Sequence, residues 1–262
     1  LEKDWTVYPV LHLDLNTQKY DSPESLTNVL EENVRNWEAL YGASSAEIGV
    51  ARRFQGIIRR ETSLSLRFQG LIRRACEQTG RRVVILIDEY DKPMLQAIGN
   101  EALQNEYRST LKAFYGALKS MDGCIRFALL TGVTKFGKVS VFSDLNNLRD
   151  ISMIDQYAEI CGISEKEVHA YFEEDIHALA TATGLTYEET CAELKANYDG
   201  YHFTENAVGM YNPFSLLNTF AKKKFGSYWF ETGTPTYLVE LLKLHHYPIE
   251  DLEHIVTSQP VL

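Results

Sequence analysis

The chain has 262 residues, of which 45% are hydrophobic and 24% are charged, a composition typical of a folded protein rather than a disordered one. Its formal charge of −10 argues against wrapping by nucleic acid over the whole surface, although it is compatible with a local basic patch. Four cysteines stand far apart without a C-x-x-C pair, and no apolar run approaches the roughly 20 residues of a membrane helix, so we expect a cytoplasmic protein with free thiols.

The N-terminal part of the chain predicts a strand followed by helices. Residues 8–16 (YPVLHLDLN) alternate in polarity and end in polar residues, which is the pattern of a strand entering a loop. Residues 22–42 carry one apolar stripe at helical spacing, with a proline in the first turn and a glycine at the end. Residues 47–60 and 61–74 are a tandem repeat, and its period of 14 residues returns each side chain to nearly the same face of a helix. We interpret it as a local helical duplication.

Two further strands are predicted around a long helix. The apolar run Val83–Ile87 is typical of a central parallel strand covered on both faces. A helical pattern starts at Pro93 and continues to Leu118, and a second buried strand is predicted over residues 125–132. Because strand, helix and strand alternate, the sequence predicts a parallel α/β sheet.

The pattern becomes mainly helical after about residue 155, with only short aromatic strands between the helices. We therefore expect two domains, an α/β core over residues 1–155 and a helical domain over residues 156–262. Since the chain begins at Leu1 rather than at methionine, we also expect it to be part of a longer gene product.

Two adjacent carboxylates, Asp88 and Glu89, follow the predicted central strand. An apolar strand ending in two acidic residues is the Walker B pattern of P-loop ATPases, and it delivers both carboxylates to the edge of the sheet where ligands bind. Asp88 would then hold Mg²⁺, directly or through water, and Glu89 would orient and polarise the attacking water. The alternative is that both acids are simply solvated near the start of a helix. Asp91 is interpreted as either a helix cap or a surface charge.

The stretch GVTKFGKVS (132–140) comes close to the phosphate-binding pattern G-x-x-x-x-G-K-[ST], but it has Val139 where a hydroxyl is needed for Mg²⁺. A phosphate loop follows the first core strand, whereas this stretch follows the strand after the Walker B pattern. We therefore interpret it as the sensor region, with Thr131 as the residue that contacts the γ-phosphate.

Several long stretches resemble the AAA-ATPase-like family of bacterial proteins, and the resemblance extends over nearly the whole chain. The stretches that carry it are VVILIDEYDKPML, FALLTGVTKFGKVSVFSDLNNLRDISM, YAEICGIS, YDGYHF, YNPFSLLNTF and YWFETGTPTYLVELL. In that family a phosphate loop ending in GK[ST] lies upstream of the strand matching YPVLHLDLN, and a PD-(D/E)XK nuclease-like domain usually follows the ATPase-like domain. Both flanks lie outside this sequence.

The resemblance implies Asp88 and Glu89 as the Walker B residues, Thr131 as the sensor, and ATP and Mg²⁺ as ligands of the intact protein. The expected fold is a P-loop NTPase-like parallel sheet lacking its first, Walker A strand, followed by a mainly helical lid domain. We expect an ATPase in the intact protein, coupled to a nuclease-like or other effector domain, and no turnover by this chain alone. The alternative is a nucleotide-independent module that binds nucleic acid or protein and retains a vestigial ATPase fold.

Positive charge is concentrated in one part of this acidic chain. Two interpretations are open for these arginines, a contact with the backbone of nucleic acid, for which Arg59, Arg60, Arg73 and Arg74 are the candidates, or a solvated helix face. The nine residues are Arg52, Arg53, Arg59, Arg60, Arg67, Arg73, Arg74, Arg81 and Arg82.

Aromatic residues are concentrated in the C-terminal half, where we expect them to form the core of the helical domain, with base stacking as the alternative. They are Tyr198, Tyr201, Phe203, Tyr211, Phe214, Tyr228, Trp229 and Phe230. The histidines in this half lack a ligand set with the spacing of a metal site, and we expect them to be structural.

Overall fold

A computed structural model of the chain describes residues 6–42, 60–133, 147–204 and 207–228, with the side chains of residues 60–63 and 201 outside that description. The first copy of the tandem repeat, most of the GVTKFGKVS stretch and the predicted C-terminal helix therefore lie outside the described residues. The chain divides into two compact units, Leu1–Leu148 and Arg149–Leu262. No helix in the described ranges is both long enough and apolar enough to cross a bilayer.

The first unit is built on a three-stranded sheet in the order β1-β2-β3, and both strand pairs are parallel, which confirms the predicted parallel α/β arrangement. Its elements are β1 (Val10–Asp14), α1 (Pro23–Tyr41), α2 (Arg60–Thr79), β2 (Val83–Asp88), α3 (Lys92–Gln96), α4 (Glu101–Ser120) and β3 (Ile125–Leu130).

The long helix predicted from Pro93 to Leu118 is wrong, because the chain forms two helices there, α3 and α4. Gly99 has φ +87°, a left-handed conformation that ends helical geometry and that glycine adopts without steric cost. Asn100 then begins α4, and its side-chain oxygen accepts a hydrogen bond of 3.1 Å from the backbone N–H of Leu103.

One face of the sheet packs against α1, α2 and α4 in a single apolar core. Leu11 and Leu13 of β1 and Ile85 and Ile87 of β2 point to this face, since alternate residues of a strand share a side. The three helices meet through stacked rings, with the Trp37 and Phe68 centroids 5.6 Å apart and those of Phe68 and Phe114 4.4 Å apart. Phe68 belongs to the second copy of the repeat, so this copy contributes its apolar side to the core.

The opposite face of the sheet is open among the described residues, and the expectation of strands buried on both faces is wrong for this part of the chain. Val10 is 46% exposed, Phe127 52% and Leu129 38%, whereas Val84 and Leu86 of the central strand are half-buried. The helices of the described ranges lie on the other side, so these apolar side chains have no described element over them.

The described part of the second unit contains four α-helices and three short strands. In order they are β4 (Ile163–Ser164), α5 (Glu165–Tyr171), α6 (Glu173–Thr183), α7 (Tyr187–Tyr198), β5 (Asp199–Tyr201), β6 (Met210–Tyr211) and α8 (Pro213–Lys222). The three strands form a small antiparallel sheet in the order β4-β6-β5.

The aromatic residues of this unit only partly follow the prediction. Tyr198 and Tyr211 are buried in its core and Tyr228 is also buried, but Phe214 is 44% exposed. Phe214 belongs to α8, which buries Leu216 and Phe220, so its side chain lies off the packed face of the helix. Trp229 and Phe230 lie outside the described residues.

Candidate functional site

The three parallel strands end at one edge of the sheet, and polar residues follow each of them. Asp14 of β1 stands opposite Asp88 of β2 in the register. The ladder continues past the strand ends, since the N–H of Leu15 donates to the carbonyl of Asp88 (3.1 Å) and the N–H of Thr131 donates to the carbonyl of Ile87 (2.9 Å). This carboxyl edge is the place where α/β proteins bind their ligands.

Asp88 and Thr131 are joined directly. The hydroxyl of Thr131 donates a hydrogen bond to Oδ1 of Asp88, and both residues are exposed. No described residue hydrogen-bonds to Oδ2 of Asp88, so this oxygen is available to a ligand. The structure thus brings together two of the predicted site residues, from neighbouring strands.

Glu89 has an unusual backbone and an unusual environment. Its φ of +54° is left-handed, which costs a residue with a Cβ about 1–2 kcal/mol. Its side chain is half-buried, and its Oε2 is buried without a hydrogen-bond partner among the described residues. Burial raises the pKa of Glu89 above its ordinary value, Lys92 opposes the rise, and the charges of Asp91, Asp88 and Asp14 add to it. A carboxylate with a raised pKa is a better proton acceptor near neutral pH.

Asp91 is fully buried, so its interpretation as a surface charge is wrong. Its Oδ1 accepts a hydrogen bond of 3.2 Å from the backbone N–H of Val133, which ties the chain after β3 to the turn before α3. Gly132 lies against the same carboxylate, because a Cβ at this position would fall 2.6 Å from Asp91 Oδ1 and 2.6 Å from Cε1 of Tyr90. Close packing therefore accounts for this glycine, the first of the GVTKFGKVS stretch, without a phosphate-binding role.

Sequence reasoning missed two acidic residues of this edge, Asp14 and Asp91. The signal for Asp14 was available, since it ends a predicted strand as Asp88 does. Its Oδ1 accepts a hydrogen bond of 2.7 Å from the N–H of Asn16, which fixes the carboxylate at the strand end. The burial of Asp91 depends on its contact with residues 132 and 133, about 40 positions later in the chain, and no local pattern reveals it.

The arginines of the basic region have different environments. Arg67 pairs with Glu38 of α1 through two hydrogen bonds, of 2.8 and 2.6 Å, and is therefore a structural residue. Arg73 is exposed, whereas Arg74 is half-buried and its Nε and one terminal nitrogen are inaccessible to solvent. Arg59 lies outside the described residues, and only the backbone of Arg60 is described, as the first residue of α2.

The carboxyl edge has side-chain oxygens that suit Mg²⁺ bound together with a nucleotide. The described residues contain no group of three His, Cys, Asp or Glu side chains that could hold a metal ion. Mg²⁺ bound together with a nucleotide requires only one or two carboxylates, because phosphates and water complete its octahedron. The second carboxylate oxygen of Asp88 fits this mode of binding, and Glu89, whose Oε2 has no hydrogen-bond partner among the described residues, follows it in the chain.

The chain is thus an α/β protein with a parallel sheet, and carboxylates and a hydroxyl lie at the carboxyl ends of its strands. Residues 1–142 match the model of the AAA-ATPase-like family, described as predicted AAA-ATPase, and the chain belongs to this family. A protein of Azotobacter chroococcum mcd 1, described as an uncharacterized protein in the vnfD 5' region, is 40% identical over 260 residues. That alignment covers 99% of this chain and 45% of the relative, so the chain spans less than half of the relative's length. No solved structure matches the chain.

Proposed function

We propose that the chain supplies the Walker B and sensor half of an ATPase, and that ATP binding and hydrolysis take place in a longer protein that also carries a phosphate loop. One observation carries this proposal, the hydrogen bond from Thr131 to Asp88 at the ends of neighbouring parallel strands, with Glu89 next to it. Membership of the predicted AAA-ATPase family supports it.

The residues at the edge have separate roles in this proposal. Asp88 would hold Mg²⁺ through the carboxylate oxygen that Thr131 leaves free, and the ion would neutralise charge on the phosphates. The Glu89 carboxylate would accept a hydrogen bond from the attacking water and take its proton, a role that its raised pKa favours. Thr131 would orient Asp88 through their hydrogen bond and contact the γ-phosphate as a sensor.

The open side of the sheet supports the proposal that a Walker A strand and its helix complete the domain. Among the described strands β3 pairs with β2 alone, so no described strand hydrogen-bonds to its other edge. Phe127 and Leu129 of β3 are exposed on the face that has no described helix. A strand added beside β3, followed by a helix across this face, would pair the edge and cover these side chains.

The second unit, with helices α5 to α8, would act as a lid that reports nucleotide state to an effector such as a nuclease-like domain. The relative's length leaves room for such a domain, since the chain spans 45% of it. The competing proposal is a nucleotide-independent interaction module, and a GK[ST] phosphate loop encoded upstream of these residues distinguishes the ATPase from that module.

Steady-state hydrolysis by the complete gene product tests the proposal. Glu89→Gln should lower turnover by roughly 100-fold or more while nucleotide affinity stays nearly constant, because the amide keeps the shape but cannot take the proton. Glu106→Gln, an exposed position of α4, is the matched control and should keep full turnover. Undiminished turnover of the Glu89→Gln variant would remove this residue from the mechanism.

The chain without a phosphate loop should bind ATP–Mg²⁺ weakly or not at all, because the backbone N–H groups that cradle the β- and γ-phosphates are missing. Isothermal titration measures this. A dissociation constant in the low micromolar range, or roughly −8 kcal/mol, would contradict the proposed division of the site between two segments.

A further inference from the structure

A basic cleft lies at the amino ends of the strands, away from the carboxylates that follow the strands at their other ends. The cleft has a volume of about 320 Å³ and is lined by Tyr8, Gly80, Arg81, Arg82 and Arg126, which we call the arginine cleft. Gly80 has φ +64° and reverses the chain between α2 and β2, so that Arg81 and Arg82 enter the cleft from this turn.

A β-bulge supplies the third arginine. Val83 pairs with Ile125, but the next residue, Val84, pairs with Phe127, so Arg126 is an extra residue in β3. A bulge of this kind changes the direction of the side chain that it inserts. Arg126 belongs to β3 and Arg82 to the turn before β2, yet the two side chains line the same cleft.

The guanidinium groups of the arginine cleft are not neutralised within the described residues. Arg81, Arg82 and Arg126 are all exposed, and none of them forms an ion pair with a described carboxylate. Arg81 donates one N–H to the carbonyl of Val7, which holds its side chain in place and leaves its other donors available. Three positive charges thus share one cleft without a described carboxylate partner, in a chain with a formal charge of −10.

The chemistry of the cleft matches a nucleic-acid strand. Guanidinium groups bind phosphate oxygens in a bidentate manner, and proteins that bind single strands combine a positive groove with an aromatic ring on which a base or sugar stacks. Tyr8 supplies such a ring beside the three arginines. We propose that the arginine cleft binds a phosphate of a single-stranded nucleic acid, with the adjoining nucleotide against Tyr8.

The proposal is independent of the proposed ATPase site. It uses no residue of the carboxyl edge. Arg81 and Arg82 belong to the basic region of the sequence, but the four candidates Arg59, Arg60, Arg73 and Arg74 take no part in the cleft. The cleft groups Arg81 and Arg82 with Arg126 and Tyr8, which lie far apart in the sequence, and this grouping follows from the sheet register. If the cleft fails to bind nucleic acid, the ATPase proposal is unaffected.

Fluorescence anisotropy with a labelled oligothymidylate, titrated at several salt concentrations, tests the proposal on the chain. Arg82→Ala combined with Arg126→Ala should weaken binding at least tenfold at low salt. It should also flatten the log–log salt dependence by about 0.7, the contribution of one phosphate contact with a single strand. Arg82→Lys with Arg126→Lys should recover only part of the affinity. Lysine keeps the charge but lacks the planar pair of N–H donors that binds a phosphate in a bidentate manner.

The matched control is Arg35→Ala combined with Arg149→Ala, which removes the same charge from two exposed positions outside the cleft. This control should change affinity by less than about twofold if binding is local to the cleft. Three results would overturn the proposal: no binding by the parent chain at low salt, an equal loss in the control variant, or equally effective competition by poly-glutamate, which would point to an acidic protein instead.

Discussion

The hydroxyl of Thr131 donates a hydrogen bond to Oδ1 of Asp88, so the ends of β3 and β2 are linked through side chains as well as through the backbone ladder. This link fixes the orientation of the Asp88 carboxylate. An exposed hydrogen bond contributes only about 1 kcal/mol or less to the free energy of unfolding. The bond therefore matters more for the orientation of the carboxylate than for the stability of the fold.

Removing the hydroxyl of Thr131 should therefore affect turnover more than stability. In the complete gene product we expect Thr131→Val to lower ATP turnover at least tenfold, while the free energy of unfolding changes by less than about 1 kcal/mol. Thr131→Ser retains a hydroxyl and should keep most of the activity. Turnover numbers and urea unfolding curves for the three proteins measure both effects. Full activity of the Thr131→Val protein would show that Asp88 needs no such orientation.

The second prediction concerns the pH dependence contributed by Glu89. Burial raises the pKa of this carboxyl in the folded chain, so its proton is held more tightly there than in the unfolded chain. The stability contribution of Glu89 is therefore fully present below its unfolded pKa and is lost as the pH rises through the raised folded pKa.

Glu89→Gln removes this ionisation. We expect the variant and the parent chain to have similar unfolding free energies at acidic pH, with the variant becoming relatively more stable as the pH rises through the pKa of Glu89. Glu106→Gln, at an exposed position, serves as the control and should give a profile parallel to that of the parent. Urea unfolding at a series of pH values measures the difference, and a constant offset for Glu89→Gln would contradict the effect of burial.

Much of the first unit could be predicted from the sequence because its elements carry strong local signals. The apolar runs around Leu13, Ile85 and Ala128 predicted three strands. Because these strands alternate with helices along the chain, a parallel sheet was predicted as well. The break at Gly99 was also visible as a Gly-Asn pair, but the apolar periodicity on both sides was stronger and concealed it. Asp88, Glu89 and Thr131 were placed correctly at strand ends because the strand ends themselves were correct.

The remaining features depend on contacts between distant parts of the chain. Asp91 has the local pattern of a helix cap, yet it is buried because residues 132 and 133 close over it. Arg67 has the local pattern of a surface charge, but Glu38 lies opposite it on another helix. Neither the left-handed backbone of Glu89 nor the bulge at Arg126 has a sequence signature, since both follow from the way the strands pair.

The ion pair between Glu38 and Arg67 provides a prediction about stability. The two side chains are 11% and 18% exposed and form a bidentate contact between α1 and α2. Glu38→Ala should cost about 3 kcal/mol, because it removes a bidentate carboxylate from a largely buried guanidinium. Glu38→Leu combined with Arg67→Met should cost less than Glu38→Ala, since it removes both charges and keeps apolar packing between the helices. Urea unfolding measures both, and additive losses in a double-mutant cycle would show that the two side chains do not interact.

The last prediction tests the packing of Gly132 beneath the carboxyl edge. A Cβ at this position would lie 2.6 Å from Asp91 Oδ1, so Gly132→Ala has to displace a buried carboxylate and weaken its hydrogen bond with Val133. Overpacking of this kind costs about 1–3 kcal/mol.

Gly116→Ala is the matched control, because a Cβ there meets nothing within 4 Å and alanine is favoured within α4 by about 1 kcal/mol. Urea unfolding should thus show opposite signs for the two variants. A Gly132→Ala chain as stable as the parent would mean that the turn containing Asp91 can move aside without loss, and the carboxyl edge would then be less rigid than its contacts indicate.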